Sequence, residues 1–217
     1  MRGLHITRTI LTGLGLASLT AGGAIAHPHV LVYVKAVILV DSSAKMTGIR
    51  QVWSFDEAYS AFAVTGFKKD ANGKILKSEL VDLAKMNVES LKEYNYFTSM
   101  KQGRTELGFG DPLEGYQLDY DGKSLILSFV LPLKAATPLA KANTLKIDDD
   151  SFFVSFTYDD KDPVSIEGNA PGCAIDLKKP EKLIDAGSVS KMSEDIFNSM
   201  KSGFGASYAS SVRINCQ

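Results

Sequence analysis

Two histidines stand in the short sequence His27-Pro28-His29, directly after Ala24-x-Ala26, a small-residue motif of the kind that signal peptidases cut. The third histidine of the chain, His5, precedes that motif. Cleavage after Ala26 would leave both remaining imidazoles at a new N-terminus, beside a free α-amine. Imidazole nitrogen is a good ligand for zinc, nickel and copper, so this pattern predicts a site for a divalent transition metal.

Pro28 restricts how such a metal could be bound. The amino-terminal copper/nickel motif with histidine at position three uses a deprotonated amide at position two, and proline has no amide hydrogen. That square-planar mode is therefore blocked, and a tetrahedral or octahedral site completed by carboxylates is favoured. The alternative is that the two histidines only mark the cleavage site.

Carboxylates that could complete the site occur at two places. Asp56 and Glu57 follow a predicted strand, and Asp148–Asp150 form an acidic run between two predicted strands. The alternative role of Asp56 is to cap the helix that begins after it. The alternative for the acidic run is a solvated turn.

Lys68 to Glu79 can be aligned with a twelve-residue calcium-binding loop between two helices. In this alignment Asp70, Asn72 and Gly73 take three of the expected positions, and Glu79 takes the last. Lys68, however, places a cation where the loop needs an aspartate. The pattern favours a relic of such a loop, or a coincidental Asn-Gly turn, over a working calcium site.

Patterns for other kinds of chemistry do not occur in the sequence. There is no Gly-x-Ser-x-Gly elbow, no Walker phosphate loop and no dinucleotide fingerprint. A copper enzyme would need a third nitrogen ligand, and two histidines after cleavage do not supply it. We therefore predict that the protein is not an enzyme.

The first 26 residues are typical of a secretory signal. Arg2 and Arg8 precede an apolar run, Ile10–Leu19, which is too short to cross a bilayer. We expect a signal peptide over residues 1–26 and one periplasmic domain over residues 27–217, not embedded in the membrane after cleavage. The alternative is an uncleaved N-terminal anchor. The expected domain has 22 basic and 25 acidic residues and no basic patch, which argues against binding to nucleic acid.

The two cysteines, Cys173 and Cys216, both lie in the expected exported part. An even number of cysteines in an oxidising compartment favours a disulfide bond. The alternative is a metal-binding or redox-active pair, which the absence of a Cys-x-x-Cys spacing does not support.

The hydrophobic pattern predicts an α+β fold. Val30–Val40 is an apolar strand, and Met46–Phe55 alternates as its hairpin partner. Residues 56–98 are predicted as an inserted helix-loop-helix, with helices over 57–64 and from Ser78 to about Phe97.

The rest of the chain is predicted to be mainly β, as an antiparallel β-sandwich-like domain. Strands are expected near residues 104–109, 115–121, 124–131, 144–148, 151–158, 164–168, 173–177 and 209–216. Residues 132–143 are expected to be a connection. An amphipathic C-terminal helix carrying Met192, Ile196 and Met200 is expected before the last strand.

The order of several segments resembles an exported bacterial family whose function is unknown. Its members are also described as periplasmic components of uncharacterised ABC-type transport systems, and the ZevA-type zinc-uptake proteins are among them. The resemblance extends over nearly the whole expected domain. The segments that carry it are His27-Pro28-His29-Val30, Trp53–Glu57, Tyr59–Phe62, Asn87–Thr98, Asp149–Phe156, Gly172-Cys173 and Val212–Cys216.

The resemblance implies a periplasmic accessory protein that binds zinc, nickel or cobalt and works with a membrane metal permease of the nickel/cobalt type. It implies His27 and His29 as ligands, with Asp56 and Asp149 as further ligands. Leu31 stands where the family usually has an aromatic residue. The alternative function is a structural or interaction module that docks to the permease and binds no metal.

Overall fold

The structure is a computed structural model that describes residues 30–139, 142–180 and 209–216. The expected signal peptide, His27, His29 and the predicted C-terminal helix lie outside the described residues, as does the proposed boundary between residues 26 and 27. Within the described residues, no helix is long and apolar enough to span a membrane.

The described residues form an α+β fold with two sheets and two α-helices. The strands are β1 (Val30–Val40), β2 (Lys45–Phe55), β3 (Thr98–Gln102), β4 (Thr105–Leu107), β5 (Gln117–Tyr120), β6 (Leu125–Pro138), β7 (Asn143–Ile147), β8 (Val154–Tyr158), β9 (Val164–Glu167), β10 (Cys173–Lys178) and β11 (Ser211–Cys216). The helices are α1 (Glu57–Ala63) and α2 (Lys77–Leu91), and a short irregular turn, Lys92–Phe97, follows α2.

The first sheet has the order β5-β6-β2-β1-β8, with β9 also paired to β1. The predicted hairpin of β1 and β2 is confirmed, with Val34 opposite Trp53. In β1 the even-numbered residues are buried, which is the period of a strand with one face on the core. The second sheet has the order β10-β11-β7-β3-β4, and buried side chains of both sheets belong to one hydrophobic core.

The prediction of purely antiparallel sheets is wrong for the first sheet. β8 and β9 pair one after the other with the side of β1 that faces away from β2, and both run parallel to β1. The chain reaches β8 from β7, which belongs to the second sheet, so it enters the first sheet by a crossover and not by a hairpin.

The expected connection over residues 132–143 is also wrong, because β6 continues to Pro138. Pro132 lies opposite Gly48 at an irregularity in the pairing of β2 with β6. Proline is tolerated at such a point because the ladder hydrogen bond that it cannot donate is already interrupted. A Cβ on Gly48 would lie 2.7 Å from the carbonyl oxygen of Leu131, so this close approach requires glycine.

The second predicted helix is too long, since α2 ends at Leu91. Asn95, Tyr96 and Phe97 then have φ angles of 49°, 54° and 50°, in the left-handed region. Residues other than glycine adopt this conformation at a cost of about 1–2 kcal/mol each. We call Asn95–Phe97 the left-handed turn; it leads directly into β3, a strand that the sequence pattern did not predict.

A buried chain of hydrogen bonds connects β2 to the left-handed turn. The Trp53 Nε1 donates to Gln51 Oε1 at 2.9 Å, and Gln51 Nε2 donates to Thr98 Oγ1 at 2.9 Å. The Thr98 hydroxyl then donates to the carbonyl oxygen of Tyr96 at 2.6 Å. We call this chain the buried relay; Gln51 at its centre is fully buried.

Replacing Gln51→Leu should lower the free energy of unfolding by about 2–4 kcal/mol, because it leaves the buried indole N–H without its acceptor and Thr98 without its donor. Urea unfolding followed by tryptophan emission measures the change. Gln117→Leu, at an exposed position of β5, is the matched control and should alter stability by less than about 0.5 kcal/mol. Equal effects of the two substitutions would contradict this role of the relay.

The predicted disulfide between Cys173 and Cys216 is present in the structure and joins facing residues of β10 and β11. It closes a loop with a sequence separation of 43 residues.

The double variant Cys173→Ser/Cys216→Ser should therefore lose about 2–4 kcal/mol of stability, since its unfolded chain is less constrained. Denaturant unfolding of the reduced wild type should match that of the variant; identical curves for the variant and the oxidised wild type would refute the prediction.

Candidate functional site

Three strand ends meet at one end of the first sheet, where β1 begins, and we call this end of the strands the β1 edge. β2 runs antiparallel to β1 and ends there, with Phe55 opposite Val32. β8 runs parallel to β1 and begins there, with Val154 opposite Val30. Polar residues that follow β2 or precede β8 are therefore brought to the two sides of the first residues of β1.

Asp56 lies on the β2 side of this edge. Its Oδ1 accepts a hydrogen bond from the Tyr59 amide at 2.9 Å, which caps helix α1. Its Oδ2 accepts from the Leu31 amide at 3.0 Å, and its own amide donates to the Leu31 carbonyl oxygen at 3.0 Å. The capping role is confirmed, and the same carboxylate is fixed to the second residue of β1.

Asp149 lies on the β8 side. Its Oδ1 accepts from the amide and the hydroxyl of Ser151, at 2.9 and 2.7 Å. Its Oδ2 accepts from the amide of Val154 at 2.9 Å. These bonds form a tight turn that includes Phe152 with a φ of 58°, so the turn alternative is confirmed for this residue.

The two carboxylates differ in how much acceptor capacity they keep. An ionised carboxylate offers about four lone-pair sites. Asp56 uses two of them for backbone amides, whereas Asp149 receives three hydrogen bonds. Asp56 is therefore the carboxylate at this edge with more capacity for a further partner.

The other acidic candidates, Glu57, Asp148 and Asp150, have different surroundings from Asp56 and Asp149. Glu57 Oε1 lies 3.6 Å from Lys123 Nζ in an exposed ion pair. Asp148 is partly buried, and this burial raises the pKa of its carboxyl, against the influence of Lys146. Asp150 is exposed.

The loop over residues 68–79 closes on itself. The Asp70 Oδ1 accepts from the amides of Asn72 and Lys74, at 2.8 and 3.0 Å, and Lys69 pairs with Ile75. Gly73 has a φ of 78°, which suits glycine at the turn. The Asn-Gly turn is therefore present, while calcium binding by the loop stays a prediction.

The described residues contain no group of three or more His, Cys, Asp or Glu side chains arranged to hold a metal ion. His27 and His29, the predicted nitrogen ligands, lie outside the described part of the chain.

A feature that the sequence did not reveal is a cavity of about 570 Å³ beside this edge. Its lining comes from β1, β2 and β6, the two helices, the turn after α2, and the loop that leads into β8. We call it the aromatic cavity, because its lining includes Trp53, Phe55, Tyr59, Tyr94, Phe97 and Phe153.

The rings of the aromatic cavity contact one another. Phe55 and Tyr59 stack at a centroid distance of 5.1 Å, and Tyr94 and Phe97 stack at 5.2 Å. Burial, followed by the nearby Asp56 charge, raises the pKa of the Tyr59 hydroxyl. In the sequence, the spacing of Trp53 and Phe55 indicated only a core-facing strand; no local pattern signals that Tyr94 and Phe97 join them.

A second cavity, of about 790 Å³, shares Tyr94, Phe97 and Asp149 with the aromatic cavity. Its lining is more polar and includes Lys101, Lys134, Lys146 and the acidic run Asp148–Asp150. The Asp148 amide donates to the carbonyl oxygen of Phe97 at 3.0 Å, so the acidic run is attached to the left-handed turn.

Replacing Asp149→Ala should increase the hydrogen-exchange rate of the Val154 amide at least about tenfold, because this amide loses its acceptor and the turn before β8 loosens. Exchange measured by NMR tests this. Asp41→Ala is the matched control: Asp41 accepts from the Ser43 and Lys45 amides at the other end of β1, so its loss should leave Val154 unchanged. Unaltered exchange at Val154 in Asp149→Ala would be the contrary result.

Comparison with known proteins places this chain in a family. Residues 13–216 match the family described as a protein of unknown function, DUF1007. An uncharacterised 15.5 kDa protein from the trpE 3′ region of Spirochaeta aurantia is 34% identical over 101 residues, which cover 45% of this chain and 69% of that protein. The chain therefore belongs to the DUF1007 family of proteins of unknown function.

Proposed function

We propose that this chain is a periplasmic accessory protein that binds a divalent transition metal, zinc or nickel/cobalt, and assists a membrane metal permease of the nickel/cobalt type. In this proposal the protein catalyses no reaction. His27 and His29 supply nitrogen ligands, and carboxylate from Asp56, with Asp149 beside it, completes the coordination.

The observation that carries the proposal is the position of Asp56 and Asp149 around the first residues of β1. Asp56 is hydrogen-bonded to Leu31, and Asp149 is hydrogen-bonded to Val154, the register partner of Val30. Two negative charges therefore lie on the two neighbours of the strand that the histidine pair directly precedes in the sequence.

Covalent geometry keeps the histidines close to these carboxylates. One residue of extended chain spans at most about 3.6 Å. His29 adjoins Val30, and His27 is three residues from it, so both Cα atoms are tethered within about 11 Å of Val30. The α-amine that cleavage after Ala26 would create is tethered within a similar distance.

The acceptor capacity of the carboxylates ranks them as ligands. Asp56 can bind a metal through lone pairs that its two backbone hydrogen bonds leave available. Asp149, which receives three hydrogen bonds, acts mainly through its charge. These backbone hydrogen bonds would also hold the carboxylates in place, as partners of ligand side chains do in metal sites.

The test is calorimetric titration of the mature protein, beginning at His27, with zinc and with nickel. We expect one tight site that is lost in His27→Ala/His29→Ala. Asp56→Asn, which keeps a capping oxygen, should weaken binding by at least about tenfold, since it removes an anionic ligand. One additional residue before His27 should also weaken binding, because it displaces the α-amine.

Asp41→Asn is the matched control for Asp56→Asn. Asp41 also accepts backbone hydrogen bonds beside β1, but at the opposite end of the strand, so its replacement should leave metal affinity unchanged. Unchanged affinity in the double histidine variant would refute the proposal. So would an absence of metal binding combined with metal-independent co-purification of a permease, which is the behaviour of a docking module.

A further inference from the structure

The aromatic cavity has the size and lining of a site for a small organic molecule. Its volume of about 570 Å³ falls within the range of about 300–1,000 Å³ that is usual for small-molecule sites. Such sites are concave and mostly apolar, with a few polar groups that orient the ligand. Trp53, the single tryptophan of the chain, lies in the lining and is only 2% exposed.

One aromatic ring of this cavity is largely exposed to water. Tyr94 is 58% exposed, although it stacks on Phe97, which packs against Trp53. Contact between apolar surface and water is unfavourable, at about 25 cal/mol per Å². A flat molecule placed against Tyr94 would remove that contact and add a stacking interaction.

Most polar side chains of the lining already have partners. The Ser90 hydroxyl donates to the Met86 carbonyl oxygen at 2.8 Å, and the Ser151 hydroxyl donates to Asp149 at 2.7 Å. Asn87 of α2 also lines the cavity, and its amide makes no hydrogen bond to the described residues. This amide can both donate to and accept from a ligand.

The charge at the cavity has one sign. Asp149 is the charged side chain in the lining formed by the described residues. A negative charge beside a largely apolar cavity attracts cations and repels anions. It therefore selects against ligands with a carboxylate, sulfonate or phosphate group.

We propose that the aromatic cavity binds a small aromatic organic molecule that is uncharged or cationic, with one hydrogen-bonding group placed against Asn87. The ring system lies against Tyr94 and Trp53 of the lining. This site shares Asp149 with the metal site proposed above, but it requires no bound metal.

Two fluorescent probes with the same aromatic rings test this inference on the mature protein, with EDTA present to remove metal. N-phenyl-1-naphthylamine is uncharged and has one N–H group, and 8-anilino-1-naphthalenesulfonate carries an added sulfonate. We expect the uncharged probe to bind at least about tenfold more tightly and to quench Trp53 emission by energy transfer. Equal affinity for both probes would overturn the proposal.

Variants of α2 locate the binding. Ser90→Phe places a ring in the cavity and should weaken the uncharged probe at least about tenfold. Met86→Phe, one turn earlier at a position that is 60% exposed and outside the lining, should leave binding unchanged. Asn87→Ala should weaken binding several-fold by removing the hydrogen-bonding partner. Circular dichroism confirms that each variant is folded.

Two outcomes would refute this location. Unchanged affinity in a folded Ser90→Phe variant would show that the probe binds elsewhere. Binding that occurs only after removal of residues 27–29 would show that the cavity is a seat for the N-terminal residues of the chain itself.

Discussion

The two sheets depend on the buried relay that runs from Trp53 through Gln51 and Thr98 to the Tyr96 carbonyl oxygen. The Gln51 amide uses both its oxygen and its nitrogen in this relay, and no water reaches it. A shift of β2 relative to β3 would leave a buried donor or acceptor unpaired, which costs about 1–3 kcal/mol for each group. Hydrophobic packing is tolerant of small displacements, whereas this relay allows one alignment of the sheets.

That alignment accounts for the left-handed turn. The Thr98 hydroxyl accepts a hydrogen bond from the Gln51 side-chain amide and donates one to the carbonyl oxygen of Tyr96, two residues earlier. Because of these two bonds, the chain must reverse sharply between α2 and β3. The unfavourable φ angles are offset by packing: Phe97 lies 6.4 Å from Trp53 and 5.2 Å from Phe156 between ring centroids, and Tyr96 is buried. The same reversal stacks Tyr94 on Phe97, and this pair forms one wall of the aromatic cavity.

The sequence predicted features that depend on neighbouring residues. The strand over Val30–Val40, the cap at Asp56 and the Asp149 turn are local, and each was correctly placed. The parallel pairing of β1 with β8 and the passage of β6 through Pro132 depend on distant partners, which local periodicity does not contain. The left-handed turn has no glycine to mark it, because tertiary packing and the buried relay impose it. The aromatic cavity was missed for the same reason, since its lining comes from five separate segments of the chain.

The edge where β1 begins gives two similar carboxylates different tasks. Asp149 receives three hydrogen bonds that hold the turn before β8, so it keeps a fixed charge beside the aromatic cavity but little capacity for a new ligand. Asp56 receives two, from α1 and from β1, and retains lone pairs on a carboxylate that is already oriented. In the proposed function, Asp56 therefore binds the cation directly and Asp149 attracts it at longer range. The hydrogen bonds by which Asp56 caps α1 and Asp149 closes the turn before β8 also orient both carboxylates. In the proposed function, this orientation prepares the two residues to act together on a ligand.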